Sequence, residues 1–208
     1  MKAARTPTMA GLVLAGGHSR RFGRDKAAAI FAGQPLLAWS LDCLDQVCAT
    51  VAVSARPRGR AAALAAALGR AVLSDDPAHA EGPLAGITAG LAWADGQGQA
   101  LLATLPCDSP LISPGVFDHL AESLEAAGAA FAVTAEGPQP LCAIWRVAAF
   151  QDLAARLAAG DHPAVRAALN SAGAVAVRFD DPTPFRNINT PADAALAEAW
   201  LQESRRRI

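Results

Sequence analysis

The sequence predicts an α/β fold, a single three-layer domain around a mainly parallel sheet. Three observations carry that expectation. Short apolar runs alternate with longer Ala/Leu-rich segments, the pattern of successive βαβ units. The first run, Met9 to Ala15, is continuous and ends in Gly16-Gly17, as a strand buried on both faces does. The 208 residues, 52% hydrophobic and 18% charged, suffice for a large core, since a chain of this length buries about 70% of its unfolded surface. The same proportions exclude disorder, which needs low hydrophobicity and high net charge. No repeat, low-complexity linker or composition break divides the chain, so one domain is expected over 1–208, with its core at 9–203 and short frayed termini.

The elements follow in order. After the Met9–Ala15 strand, apolar residues at helical spacing predict a helix over Leu36–Cys48. The β-branched Thr50–Ser54 is a second strand, the Ala-rich Arg58–Leu68 a helix, and Ala71–Leu73 a minimal third strand. Pro83 suits the first turn of a helix running to Ala94. Ala100–Leu105 is a strand halted by Pro106-Cys107-Asp108, and Ser113-Pro114 opens a helix to Ala126 as N-cap and N1. Strands are expected at Ala129–Thr134 and Leu141–Trp145, with Gly137-Pro138 as the turn between them. Helices at Val147–Ala158 and Pro163–Ser171 and a strand at Val175–Phe179 follow. Thr190-Pro191-Ala192-Asp193 then starts the last helix, with a threonine N-cap, proline at N1 and an acid at N3.

Composition also excludes function classes. A net charge of −1 gives no field to gather nucleic acid or anionic membrane. The run Arg205-Arg206-Arg207 reads as a solvated helix end. The richest apolar stretch, Ala61–Leu68, falls far short of the ~20 residues a spanning helix needs. Lys2 and Arg5 before an apolar run superficially resemble a signal peptide, but no A-x-A pattern follows, and a cytoplasmic protein is expected. Cys43, Cys48, Cys107 and Cys142 show no C-x-x-C, which fits buried thiols in a reducing compartment. The histidines at 18, 79, 119 and 162 are scattered, which argues against a zinc site.

Two stretches carry chemistry. Leu14 to Lys26 (LAGGHSRRFGRDK) lies where the first strand should end, the ligand-binding edge of an open α/β sheet. Its glycines let backbone N–H groups approach phosphate oxygens, and Ser19, Arg20, Arg21 and Lys26 add donors and positive charge. The run is neither a P-loop, because Lys-Ser/Thr does not follow Gly23, nor a dinucleotide fingerprint, because G-x-G-x-x-G is absent. At the end of another strand, Pro106-Cys107-Asp108-Ser109-Pro110 presents one carboxylate. A single carboxylate can hold Mg²⁺ beside phosphates and waters; alone it would read as a turn residue.

Together these stretches resemble the L-A-G-G-x-S-x-R-M-G-x-D-K signature of nucleotidyltransferases that activate molybdopterin and sugar phosphates. Asp75 to Gly86 (DDPAHAEGPLAG), Cys107 to Pro110 and Asn187-Ile188-Asn189-Thr190-Pro191 narrow the likeness to the molybdenum cofactor guanylyltransferase family, the molybdopterin-guanine dinucleotide biosynthesis protein A family. The likeness spans Met9 to Glu203. It implies a Rossmann-like nucleotidyltransferase sheet and Mg²⁺-dependent transfer of GMP from GTP to molybdenum-bearing molybdopterin. The products would be the guanine dinucleotide cofactor and pyrophosphate. It also implies nucleotide binding by Leu14, Ala15, Gly16, Gly17, Lys26, Asp75 and Asp108, metal binding by Asp108, and Asn187 and Asn189 at the pterin half or catalytic end of the cleft. Transient contact with molybdopterin-synthesis or molybdoenzyme proteins would go with that chemistry. Two departures stand out: Phe22 replaces the usual methionine, and Ser54 stands where an asparagine contacting the nucleotide is expected.

The chemistry fits the residues present. A phosphate acceptor with a second pKa near 6 is ionised at neutral pH and needs no protein base, so the catalytic residues expected are Lys26 and Arg21, which neutralise the α-phosphate and departing pyrophosphate, and Asp108, which holds Mg²⁺. Asp25 reads equally as an orienting group, a second metal contact or a structural ion-pair partner. Gly82 to Gly86 begins a helix whose N-terminus would face the cleft, either as an acceptor-side anion site at Gly82 or as a simple turn. Gln139-Pro140 reads as a turn ahead of acceptor-side lining. The alternatives are a CTP-dependent molybdopterin cytidylyltransferase, another nucleotidyltransferase, or a non-catalytic relative that binds nucleotide or cofactor.

Overall fold

The computed structural model describes residues 8–16, 26–74 and 82–206. Arg21, Gly17, Asp25 and Asp75 lie outside the described residues, as do the first six residues of the 75–86 stretch and its Glu81. Strand β1 (Met9–Leu14) is buried along its whole length. The hairpin β2 (Ile30–Phe31) and β3 (Gln34–Pro35) precedes helix α1 (Leu36–Asp45). Then come β4 (Thr50–Ser54), α2 (Arg60–Ala67), β5 (Ala71–Leu73), α3 (Pro83–Gly96), β6 (Leu101–Pro106) and α4 (Pro114–Ser123). The second half holds β7 (Ala129–Thr134), β8 (Gly137–Arg146), α5 (Leu153–Ala158), α6 (Val165–Ser171), β9 (Val175–Arg178) and α7 (Pro191–Arg206).

Among the described residues, seven strands form one sheet in the order β5-β4-β1-β6-β8-β7-β9. β5, β4, β1 and β6 run parallel; β8 is antiparallel to β6 and β7, and β9 is parallel to β7. Alternation along β1 sorts its side chains. Met9 and Val13 join α1, α2 and α4 on one face, while Ala10, Leu12 and Leu14 join α3, α5 and α6 on the other. The three-layer, mainly parallel α/β expectation holds. A third, smaller cluster packs Phe31, Leu36, Leu111 and Ile188 against Trp39, Ala197 and Trp200, tying α7 to the hairpin.

Topology fixes where a ligand can sit. From β1 the chain crosses to β4 and outward to β5, then returns through α3 to β6 on the other side of β1. The connections leaving β1 and β6 therefore diverge, opening a crevice at their carboxyl ends, where Leu14 lies beside Pro106. The N-terminus of α3, with Gly82 before Pro83, comes to the same edge.

Several local expectations need correction. Gly137 and Pro138 are the first residues of β8, and the turn is Ala135-Glu136, where the Thr134 hydroxyl accepts the Glu136 N–H (3.2 Å). Gln139-Pro140 is also strand. Pro138 and Pro140 have no N–H to give, and the β7–β8 register slips between Phe131 and Ala132, so that Phe131 faces Ala143 and Ala132 faces Gln139. The helix expected over Val147–Ala158 divides into a 3₁₀ turn at Val147–Phe150 and the short α5. The β2–β3 hairpin was not foreseen; positive φ at Ala32 (45°) and Gly33 (91°) supplies its tight turn.

All four cysteines are free. Burial pushes the Cys43 and Cys48 thiols up to about 12 and raises Cys142 as well, so they behave as apolar packing groups. Among the described residues no helix is long and apolar enough to cross a membrane. Helix α3 approaches the sheet closely at Gly90, where an added Cβ would lie 2.5 Å from Leu12 Cδ2 and 3.2 Å from Leu102 Cδ2. Both leucines are fully buried. Gly90→Val should therefore lower unfolding stability by about 1–3 kcal/mol in urea titrations, through overpacking beneath the site strand.

Candidate active site

Lys26 opens a single 3₁₀ turn, Lys26–Ala28, whose Ala27 is buried in the main core. The Ala29 N–H closes that turn onto the Lys26 carbonyl at 3.0 Å, and the Leu36 N–H bonds Ala29 at 2.9 Å. The backbone beneath Lys26 is thereby fixed, and its four-carbon stem projects from a rigid base.

Asp108 follows β6 in a turn held from several sides. The Cys107 N–H donates to the Leu14 carbonyl (3.1 Å), and the Ser40 hydroxyl donates to the Pro106 carbonyl (3.2 Å). The Ile188 N–H donates to the Asp108 carbonyl itself (2.8 Å).

The two side chains meet. Lys26 Nζ lies 2.5 Å from Asp108 Oδ2 and 2.6 Å from Asn189 Oδ1. The side chains of Lys26 and Asp108 are only 12% and 20% exposed, so the pair is stronger than an open surface salt bridge. An ammonium has only donors, so the amide of Asn189 must present oxygen to it.

The 187–189 segment acts as a zipper along the Asp108 turn. Ser109 Oγ donates to Asn187 Oδ1 (2.7 Å), Ile188 is buried (2% exposed), and Asn189 reaches Lys26. Helix α7 locks the segment in turn. Asp193 Oδ2 accepts the Asn189 N–H (2.9 Å), and the Asp193 N–H donates to Thr190 Oγ1 (3.1 Å). These contacts hold the Asp193 carboxyl below its ordinary value, the Asn189 N–H first, then the Thr190 hydroxyl and N–H, with the charge of Lys26 adding to them.

The other expected residues that the structure describes, Leu14, Ala15, Gly16, Ser54 and Gly82, follow or end strands and start α3. Leu14 ends β1, Ala15 and Gly16 follow it, and the Ala15 N–H donates to the Ser54 carbonyl (2.8 Å). Ser54 is buried, 3% exposed, at the carboxyl end of β4. Gly82 caps α3 at the rim. Beside Ser109 and Asn187 lies a cavity of about 160 Å³, lined also by Gln139, Leu141, Cys142 and Phe185. Sequence reasoning did not single out Ser109, Ile188 or the register slip. Their signals were a hydroxyl beside the candidate carboxylate, an apolar residue between two amides, and Pro-Gln-Pro within an apolar run.

A divalent cation fits these side chains. Asp108 Oδ2 and Asn189 Oδ1 already converge on one cationic centre, and such hard oxygen donors, completed by phosphate and water, are what Mg²⁺ takes. Three side chains of His, Cys, Asp or Glu do not cluster among the described residues, so a metal here would rest mainly on Asp108.

Comparison with known proteins gives the family. Residues 11–177 match the MobA-like NTP transferase domain. Relatives called molybdenum cofactor guanylyltransferase are 41% identical in Cereibacter sphaeroides (93% of this chain, 97% of the relative) and 42% identical in Rhodobacter capsulatus (94% and 98%). The chain belongs to the molybdenum cofactor guanylyltransferase family. It is a nucleotidyltransferase. Among solved structures, the Archaeoglobus fulgidus molybdopterin-guanine dinucleotide biosynthesis protein A superposes on this family member with a TM-score of 0.74 at 24% identity, covering 93% of this chain and 99% of that one. A CMP:2-keto-3-deoxy-manno-octonic acid synthetase reaches 0.75 at 14% identity, covering 95% and 99%. Both likenesses are of fold.

The Asp193 contacts generate a pH-dependent expectation. A carboxyl whose native pKa is depressed stabilises the fold above its unfolded pKa and loses that contribution as pH falls through the native value. Asp193→Ala should therefore lower Tm at neutral pH, and the gap to wild type should close as the buffer is acidified below the carboxylate range.

Proposed function

We propose that this enzyme transfers GMP from GTP to the phosphate of molybdenum-bearing molybdopterin, releasing pyrophosphate. The observation that carries the reading is the 2.5 Å pairing of Lys26 with Asp108 at the sheet's switch point, in a chain whose relatives are named for that transfer. Leu14, Ala15, Gly16 and Gly17 offer backbone to the nucleotide; Asp75 and Ser54 contribute to holding it. Lys26 and Arg21 neutralise the α-phosphate and the departing pyrophosphate.

Asp108, with the amide oxygen of Asn189 beside it, would hold the divalent cation, Mg²⁺ in this reading. When bound there, the ion would supply positive charge to the phosphate oxygens. The acceptor phosphate is already ionised at neutral pH, so attack on the α-phosphorus needs no proton moved by the protein. The attacking oxygen forms a bond to phosphorus as the bond to the β-phosphate bridging oxygen breaks. Rate then comes from placing two anions in line and offsetting their repulsion, the work of Lys26, Arg21 and the cation that Asp108 would hold. Gly82 at the α3 N-terminus and the cavity beside Ser109, Gln139 and Asn187 lie on the acceptor side. The protein acts in the cytoplasm, where molybdopterin-synthesis and molybdoenzyme proteins are its transient partners.

Pyrophosphate release from GTP in the presence of molybdenum-bearing molybdopterin tests the reading, with CTP as the control nucleotide. Lys26→Ala and Asp108→Ala should each lose about 10²-fold or more in rate while keeping the wild-type far-UV spectrum. Turnover of CTP in preference to GTP, or full activity in either variant, contradicts it.

A further inference from the structure

We propose that Lys26 is the resting occupant of the divalent-cation seat, so that metal binds weakly by itself and tightly together with a nucleoside triphosphate, whose phosphates draw the ammonium off Asp108. The inference rests on the functional reading above and adds a binding order to it.

Three features carry it. First, the Lys26 ammonium takes the same two oxygens that suit a hard cation, Asp108 Oδ2 at 2.5 Å and Asn189 Oδ1 at 2.6 Å. A metal ion within bonding distance of those oxygens cannot share them with an ammonium, because the cations would overlap and repel. One must leave.

Second, the parts differ in freedom. Asp108 is fixed through its carbonyl to the Ile188 N–H, and Asn189 through its N–H to Asp193, whereas Lys26 holds its ammonium on a flexible stem above a buried Ala27. Exchange therefore moves the lysine and leaves the seat in shape.

Third, the charges favour joint entry. Lys26 and Asp108 together are neutral, so a bare dication approaching the pair meets an ammonium already enclosed, with 12% of its side chain exposed. A triphosphate reverses this by giving the displaced ammonium a new anionic partner and the metal its remaining oxygen ligands. Nucleotide and metal then arrive as one unit.

The test is metal binding without turnover. Mn²⁺, standing for Mg²⁺, is titrated by its electron paramagnetic resonance signal against nucleotide-free wild type, Lys26→Met, Lys26→Gln and the double variant Lys26→Met/Asp108→Asn. Both Lys26 variants should bind Mn²⁺ about tenfold or more tightly than wild type, and the double variant should lose the gain. In wild type, Mn²⁺ at saturating concentration should raise labelling of Lys26 by fluorodinitrobenzene, because the evicted amine turns outward. This arm needs no variant to fold. Equal Mn²⁺ affinity in wild type and the Lys26 variants, a gain that survives Asp108→Asn, or unchanged labelling under saturating Mn²⁺ overturns the inference. Pyrophosphate release from GTP by the same wild-type preparation separates the two proposals. Release with failed Mn²⁺ results removes only the binding order, and the opposite pattern removes only the assigned reaction.

Discussion

The contact between the Lys26 ammonium and the Asp108 carboxylate is the constraint around which the rest of the molecule is arranged. It joins residues 82 positions apart, and Asn189, 163 positions from Lys26, completes it. A cation and an anion so enclosed hold their geometry only if both backbones are fixed, since a part-buried charge without its partner is costly. The core turn under Lys26 and the Cys107 and Ile188 bonds around Asp108 supply that fixity.

The sheet explains why the two residues can meet. β1 and β6 are parallel neighbours whose following connections diverge, so the chain after each strand is delivered to the same edge and then separated. Neither segment alone closes the site. The C-terminal segment does so, laying Asn187, Ile188 and Asn189 along the Asp108 turn and anchoring them by the Thr190–Asp193 cap of α7. Packing of α7 against the β2–β3 hairpin, with Glu198 accepting the Ala32 N–H at 2.9 Å, ties this clamp back to the segment that carries Lys26.

Much of this was legible in the chain. Apolar runs located β1 and β6, a short β-branched run located β4, and Pro at N1 marked α3, α4 and α7. Lys26 and Asp108 stood out because a basic, glycine-rich run and a lone carboxylate each followed a buried strand. Asn187 and Asn189 were read as contacts at the pterin half or catalytic end of the cleft. The structure has Asn189 on Lys26 and Asn187 on Ser109, pairings between residues far apart in sequence that spacing along one chain does not reveal. The β2–β3 hairpin escaped because two residues per strand leave no period to detect. The β8 slip escaped because its prolines looked like a turn, while the flanking apolar residues held the segment in the sheet.

A structure of the enzyme bound to a non-hydrolysable GTP analogue and Mg²⁺ tests the central claim most directly. The account predicts one nucleotide in the crevice between β1 and β6, with the Lys26 ammonium on its phosphates and the Asp108 carboxylate on the bound metal. A nucleotide seated elsewhere, with Lys26 and Asp108 still paired only to each other, would contradict it.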